Sequence, residues 1–248
     1  MATVLDLKSR KDKKNAKRTV IKDENGYYRV TLGAFNTFNR SGIYYRVPDV
    51  NKILGPGSIV HRRINDGVLF AEYLHPDISV YGGDKVKIAN RTIQLDATRK
   101  IAHIKRIEVE DTGRKEPGFP YNILIIHGWV KPEGPYKDIL QEQLDNPDEN
   151  VFFSVRSLVD QKKIGNITVR DVLVVSTWDY VIEGGIKIAN QWNAAGLESA
   201  MAIDIDTNVA KELIAGFEHV ECKDGKCVIK TLKDRMDELN RTTMIYDW

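Results

Sequence analysis

From Tyr27 onward the chain settles into short apolar or alternating runs bounded by turn residues. Asn25-Gly26 is a turn signal, and residues 27–38 (YYRVTLGAFNTF) are rich in aromatic and β-branched side chains. Residues 68–74 (VLFAEYL), 101–109 (IAHIKRIEV), 121–130 (YNILIIHGWV), 151–155 (VFFSV), 167–176 (ITVRDVLVVS) and 180–188 also read as strands. The run 101–109 alternates residue by residue, which predicts one buried and one wetted face. Helical periodicity is rarer. Residues 135–144 (PYKDILQEQL) place Ile139, Leu140 and Leu144 on one face, with Pro147 beyond the end. Residues 209–217 and 232–239 carry similar stripes, through Leu213, Ile214 and Phe217, then Met236 and Leu239. Strands at irregular spacing, with few helices between the early ones, predict a mainly β fold with peripheral helices (α+β). A mostly antiparallel barrel fits that order better than a doubly wound sheet.

Charge divides the chain. Residues 8–18 (KSRKDKKNAKR) hold seven basic residues and one acidic one. They predict a basic, flexible tail over residues 1–20, with a barrel domain over 21–190 and a helical C-terminal segment over 191–248. Across the full 248 residues the net charge is only +2, which argues against a dedicated nucleic-acid binder. No apolar run approaches the roughly 18 to 20 residues of a membrane span, and the N-terminus lacks the apolar core of a secretory signal. The two cysteines flank a turn in CKDGKC (Cys222 and Cys227), where Asp224-Gly225 predicts a tight hairpin with the two residues opposite each other. No further Cys or His pair completes a zinc site, and no metal or cofactor is expected.

The five histidines are scattered, and neither a phosphate-binding glycine loop nor a GxSxG elbow occurs. What remains is nucleophilic catalysis, which needs a hydroxyl, a base to take its proton and a group to fix the base's tautomer. His75 leaves a predicted strand in AEYLHPD, Ser154 ends the run VFFS, and Asp179 follows VVSTW. Each has an ordinary structural reading by itself: a polar strand end, a turn residue, a core histidine.

Four segments, in order, change this. Residues 39–45 (NRSGIYY), 71–76 (AEYLHP), 153–157 (FSVRS) after Gly134-Pro135 and its helix, and 177–181 (TWDYV) resemble the motifs of the prohead maturation proteases of tailed bacteriophages. These are serine peptidases related to the herpesvirus assemblins. The chain departs from their pattern at Ala71, Ser157, Tyr45 and Glu183-Gly184-Gly185, which suggests a divergent, giant-phage branch. The resemblance implies a closed, assemblin-like β-barrel ringed by helices. It implies Ser154 as nucleophile, His75 as base and Asp179 as the orienting residue, with Ser157 and His127 as the competing choices. Oxyanion donors are expected near Val155 and Arg156, although the Arg156 side chain could instead pair with an acid. The family's preference for cutting after glutamate makes Glu198 and Glu218 self-cleavage candidates. The expected substrates are scaffold, core and capsid proteins of a prohead in the host cytoplasm, with self-association left open. The competing reading is a catalytically silent scaffold protein with the same fold.

Overall fold

A computed structural model describes residues 21–146, 148–185, 201–204, 220–223 and 226–229. The basic tail, the helical stripes at 209–217 and 232–239, Glu198 and Glu218 lie outside the described residues. The larger of two compact units runs to Asp204, and the second begins at Ile205.

The larger unit is built on two five-stranded sheets. The first has the order β1 (Ile21–Lys22), β2 (Tyr28–Phe35), β7 (Asn122–Pro132), β6 (Lys100–Lys115) and β5 (Phe70–Glu72), all antiparallel. The second has the order β10 (Met201–Asp204), β8 (Phe152–Ile164), β9 (Ile167–Val181), β4 (Tyr44–Arg46) and β3 (Thr37–Phe38). In this sheet β8 and β9 form a long antiparallel hairpin, whereas β10 on β8 and β4 on β9 are parallel.

The closed barrel expected from the sequence is therefore corrected to two separate sheets. Among the described residues they meet at one bridge, Tyr73 to Tyr180, and their ladders do not close. The physical reason lies in β9: its first half is paired with β4, and only its last residues reach β5. The runs 167–176 and 180–188, expected as two strands, are one strand ending at Val181.

Alternation explains the packing. Val151, Phe153, Val155 and Val159 of the β8 segment join Val175, Trp178 and Tyr180 of β9 and Val30, Leu32, Ile104 and Ile126 of the other sheet in one core. The helix expected at 135–144 is α4 (Lys137–Asp145), which buries Leu140 and Leu144. Three further helices were not read from periodicity: α1 (Val50–Leu54), α2 (Ile59–Asn65) and α3 (Lys85–Ile93). Their starts are written in the sequence as caps, since Asp49, Ser58 and Asp84 accept hydrogen bonds from the first-turn amides. The second unit contains the hairpin β11 (Val220–Lys223) and β12 (Lys226–Ile229), with Cys222 opposite Cys227 as the turn chemistry predicts.

Candidate active site

The candidate site lies at the seam between the sheets, where β5 ends beside the end of β9. Ser154 and Asp179 are directly opposite each other in the β8–β9 ladder, so their side chains stand on the same face. Arg156, two residues on, shares that face; Phe153, Val155 and Ser157 alternate to the core side. Ser157 is fully buried, in the same row as the core residues Val155 and Val159, and its hydroxyl makes no hydrogen bond. The pleat thus separates the two candidate serines: Ser154 is on the face that carries Asp179, and Ser157 is on the opposite one.

The backbone that presents His75 is pinned from both sides. Tyr73 N–H donates to Arg99 O and Leu74 N–H to Tyr180 O. Arg99 Nη2 donates to the carbonyl of Tyr73 at 2.7 Å. Leu74 takes φ +60°, a left-handed conformation that bulky residues avoid. This turns the chain so that His75 reaches back to β9. The imidazole Nδ1 donates to Asp179 Oδ2 at 2.7 Å. Nε2 is buried and makes no hydrogen bond within the protein, so the Ser154–His75 bond is not formed in this structure. A proton on Nδ1, held by Asp179, leaves Nε2 as the basic nitrogen.

Asp179 has no solvent exposure. Burial pushes its carboxyl up, but the Arg156 guanidinium and the His75 bond outweigh this and hold it below the ordinary aspartate range. Arg156 Nε donates to Oδ2 at 2.9 Å and Nη2 to Oδ1 at 2.5 Å, a bidentate clamp. The same Nη2 is 2.9 Å from Glu72 Oε1, and Nη1 donates to Gln94 O at 3.0 Å. Glu72, also fully buried, accepts from Arg91 Nη2 at 2.5 Å and from Asp96 N–H at 2.8 Å. Two buried carboxylates are thus matched by two guanidiniums. Burial opposes the charge on Arg156, yet Asp179 and Glu72 raise its pKa above the usual arginine value.

Sequence reasoning singled out His75, Ser154 and Asp179, and the structure gathers them at one place. Val155 contributes its side chain to the core, and the Arg156 side chain is spent on carboxylates. His127 is elsewhere: on β7, within 3.3 Å of Thr31 Oγ1 and 2.9 Å from Glu110 Oε2. Sequence reasoning passed over Glu72, Arg91 and Arg99. Glu72 stands inside the AEYLHP segment, but its arginine partners come from α3, the turn before β6 and β8, which no local pattern connects to it. Among the described residues no cluster of His, Cys, Asp and Glu could hold a metal, and no helix is long and apolar enough to cross a membrane.

No solved structure matches the chain significantly. The family model described as "Peptidase S80 family" matches residues 8–242. The chain is also 35% identical, over 188 residues, to a "Capsid maturation protease" of Pseudomonas phage phiKZ, an alignment covering 75% of this chain and 68% of the relative. With its sequence matched almost end to end, the chain belongs to the peptidase S80 family, a family of phage prohead proteases.

Proposed function

We propose that the protein is a serine endopeptidase of phage head maturation, with Ser154 as nucleophile, His75 as general base and acid, and Asp179 as the orienting carboxylate. The observation that carries this reading is the paired Nδ1 and unpaired Nε2 of His75, held at the end of the strand ladder in which Ser154 faces Asp179.

In this mechanism Nε2 takes the Ser154 proton as Oγ attacks the carbonyl that precedes the scissile bond. The imidazolium gains from Asp179, which stays ionised because Arg156 holds it so. His75 then delivers the proton to the leaving amine, the peptide C–N bond breaks and an acyl-enzyme ester remains. Water, deprotonated by His75, hydrolyses the ester and restores the serine. Catalytic hydrogen bonds are often completed only when substrate closes the site, so a free Nε2 is compatible with this cycle.

The oxyanion needs N–H donors. Along an antiparallel ladder successive amides point alternately toward and away from the partner strand. Of Val155 and Arg156, therefore, one N–H points away from β9, toward the edge where a substrate would lie. That amide is the oxyanion donor in this reading.

The preferred cleavage is after glutamate, in scaffold, core and capsid proteins of the assembling prohead inside the host cell. The similarity to a capsid maturation protease supports this substrate class. The assemblin relationship and self-association belong to the same reading, although the two sheets do not close as a barrel. The test compares wild type, Ser154→Ala and Ser157→Ala on a glutamate-containing scaffold peptide. Ser154→Ala is expected to lose at least about 10³-fold in kcat with an unchanged melting temperature. Ser157→Ala is expected to keep most of its activity. Cleavage by Ser154→Ala at the wild-type rate would sink the assignment, and no cleavage by wild type would favour the silent scaffold.

A further inference from the structure

Among the described residues, β8 is a long strand with β9 on one side and the four residues of β10 on the other. β10 runs parallel to it, with Met201 opposite Arg156, Ala202 opposite Ser157, Ile203 opposite Leu158 and Asp204 opposite Val159. The Asp204 carboxylate adds a clamp by accepting the Gln161 N–H at 2.9 Å. The described pairing includes Arg156, two residues beyond Ser154, on the edge toward which one of the Val155 and Arg156 amides points.

We infer that this edge of β8 is the substrate-docking edge, taking the residues that follow the scissile bond as an added parallel strand, and that β10 is the chain's own segment seated there. The inference deepens the function proposed above and rests on it. Neighbouring strands lie about 4.8 Å apart, so a peptide on this edge passes within reach of a serine hydroxyl on β8. Main-chain ladders bind an extended peptide largely independently of its sequence, which suits an enzyme with several protein substrates. Sequence order supplies a second argument. Glu198 precedes β10 by three residues and Glu218 follows it, so of the two self-cleavage candidates only Glu198 has β10 among the residues that follow its scissile bond. Cleavage there breaks the Glu198–Ser199 peptide bond through the Ser154 ester, with the proton passed by His75 to the Ser199 amine and water releasing the Glu198 carboxylate.

An attached strand competes with free peptide at an effective concentration of about millimolar, so β10 restrains its own enzyme. The test uses the full chain carrying Ser154→Ala and a labelled peptide of residues 199–206 (SAMAIDID). With Ala202→Pro and Ile203→Pro added, which remove the β10 N–H donors, the peptide is expected to bind at least about tenfold tighter than to Ser154→Ala alone. Asp204→Ala, which leaves the strand sequence otherwise intact, is expected to shift binding the same way by a smaller factor. A peptide N-methylated at the Ala202 and Ile203 positions should not bind. In the active chain, the two prolines should raise kcat/KM on added substrate and slow the appearance of a Ser199 N-terminus. Equal peptide affinity across the three proteins, or undiminished binding of the methylated peptide, would overturn the docking edge. Residual proteolysis by Ser154→Ala would instead remove the nucleophile assignment and leave the binding comparison readable.

Discussion

Arg156, Asp179 and Glu72 lie out of solvent together, and each carries a charge whose desolvation the others must offset. Breaking a buried pair by removing one partner costs about 3 to 5 kcal/mol, because the survivor keeps its burial without its compensation. Glu72→Gln is expected to lose about that much stability in urea denaturation. Replacing both members, as Glu72→Gln with Arg156→Met, should cost clearly less than the sum of the single changes. Strict additivity would show that the two side chains do not share a network. This residue-scale cluster was legible in the sequence only in part. His75, Ser154 and Asp179 could be named because motifs in fixed order surround them. The motif favours Ser154 over Ser157, but the direction of the two side chains could not be read, since it depends on which way the pleat turns at β8. Arg156 could be named from its place in FSVRS as a side chain able to pair with an acid, and it does so; Arg91 and Arg99 could not, because they come from separate elements and neither bears a distinctive local pattern.

Among the elements, long strands were read best. Their alternation is a direct record of one buried face, and β6, β7 and α4 fall close to their expected places. The helices α1 and α2 were lost because five and seven residues give too few turns for a stripe to stand out; α3, as long as α4, lacks the flanking prolines that mark α4. Sheet closure was lost because it depends on which strand edges meet, and an edge leaves no period in the sequence. Close strand packing also hides in glycine. At Gly128 on β7, an added Cβ would lie 2.4 Å from Leu32 Cδ1, deep in the core between the sheets. Leu32 is fully buried and has no open side to move into. Gly128→Ala is therefore expected to destabilise by about 1 to 3 kcal/mol through overpacking. Pairing it with Leu32→Ala should recover part of that loss, which thermal melts of the single and double variants will show. A single variant as stable as wild type would mean that β7 and β2 are free to separate there.

Across the whole molecule, the two sheets are tied to each other by polar bonds as well as by the apolar core. Thr177 Oγ1 donates to Phe70 O, His75 binds Asp179, and Arg156 joins Asp179 to Glu72, each bond running from the β5 segment to the β8–β9 hairpin or bracing one that does. Acid should therefore attack the seam. Asp179 at the seam, and Asp171 within the second sheet with Arg46 and Lys162 around it, both have carboxyls held below the ordinary aspartate value against the opposing effect of burial. A carboxyl whose pKa is lower in the folded than in the unfolded chain stabilises the fold above the unfolded value, about pH 4, and the benefit disappears as pH falls through the folded value. The melting temperature should thus vary little from about pH 7 to 5 and fall steeply below about pH 4. Asp179→Asn has no carboxyl to protonate at this position, so its stability deficit relative to wild type should shrink over the same acid range. A deficit that stays constant from neutral pH to pH 3 would mean that the seam is held by packing alone, and that the charge on Asp179 serves only to orient His75.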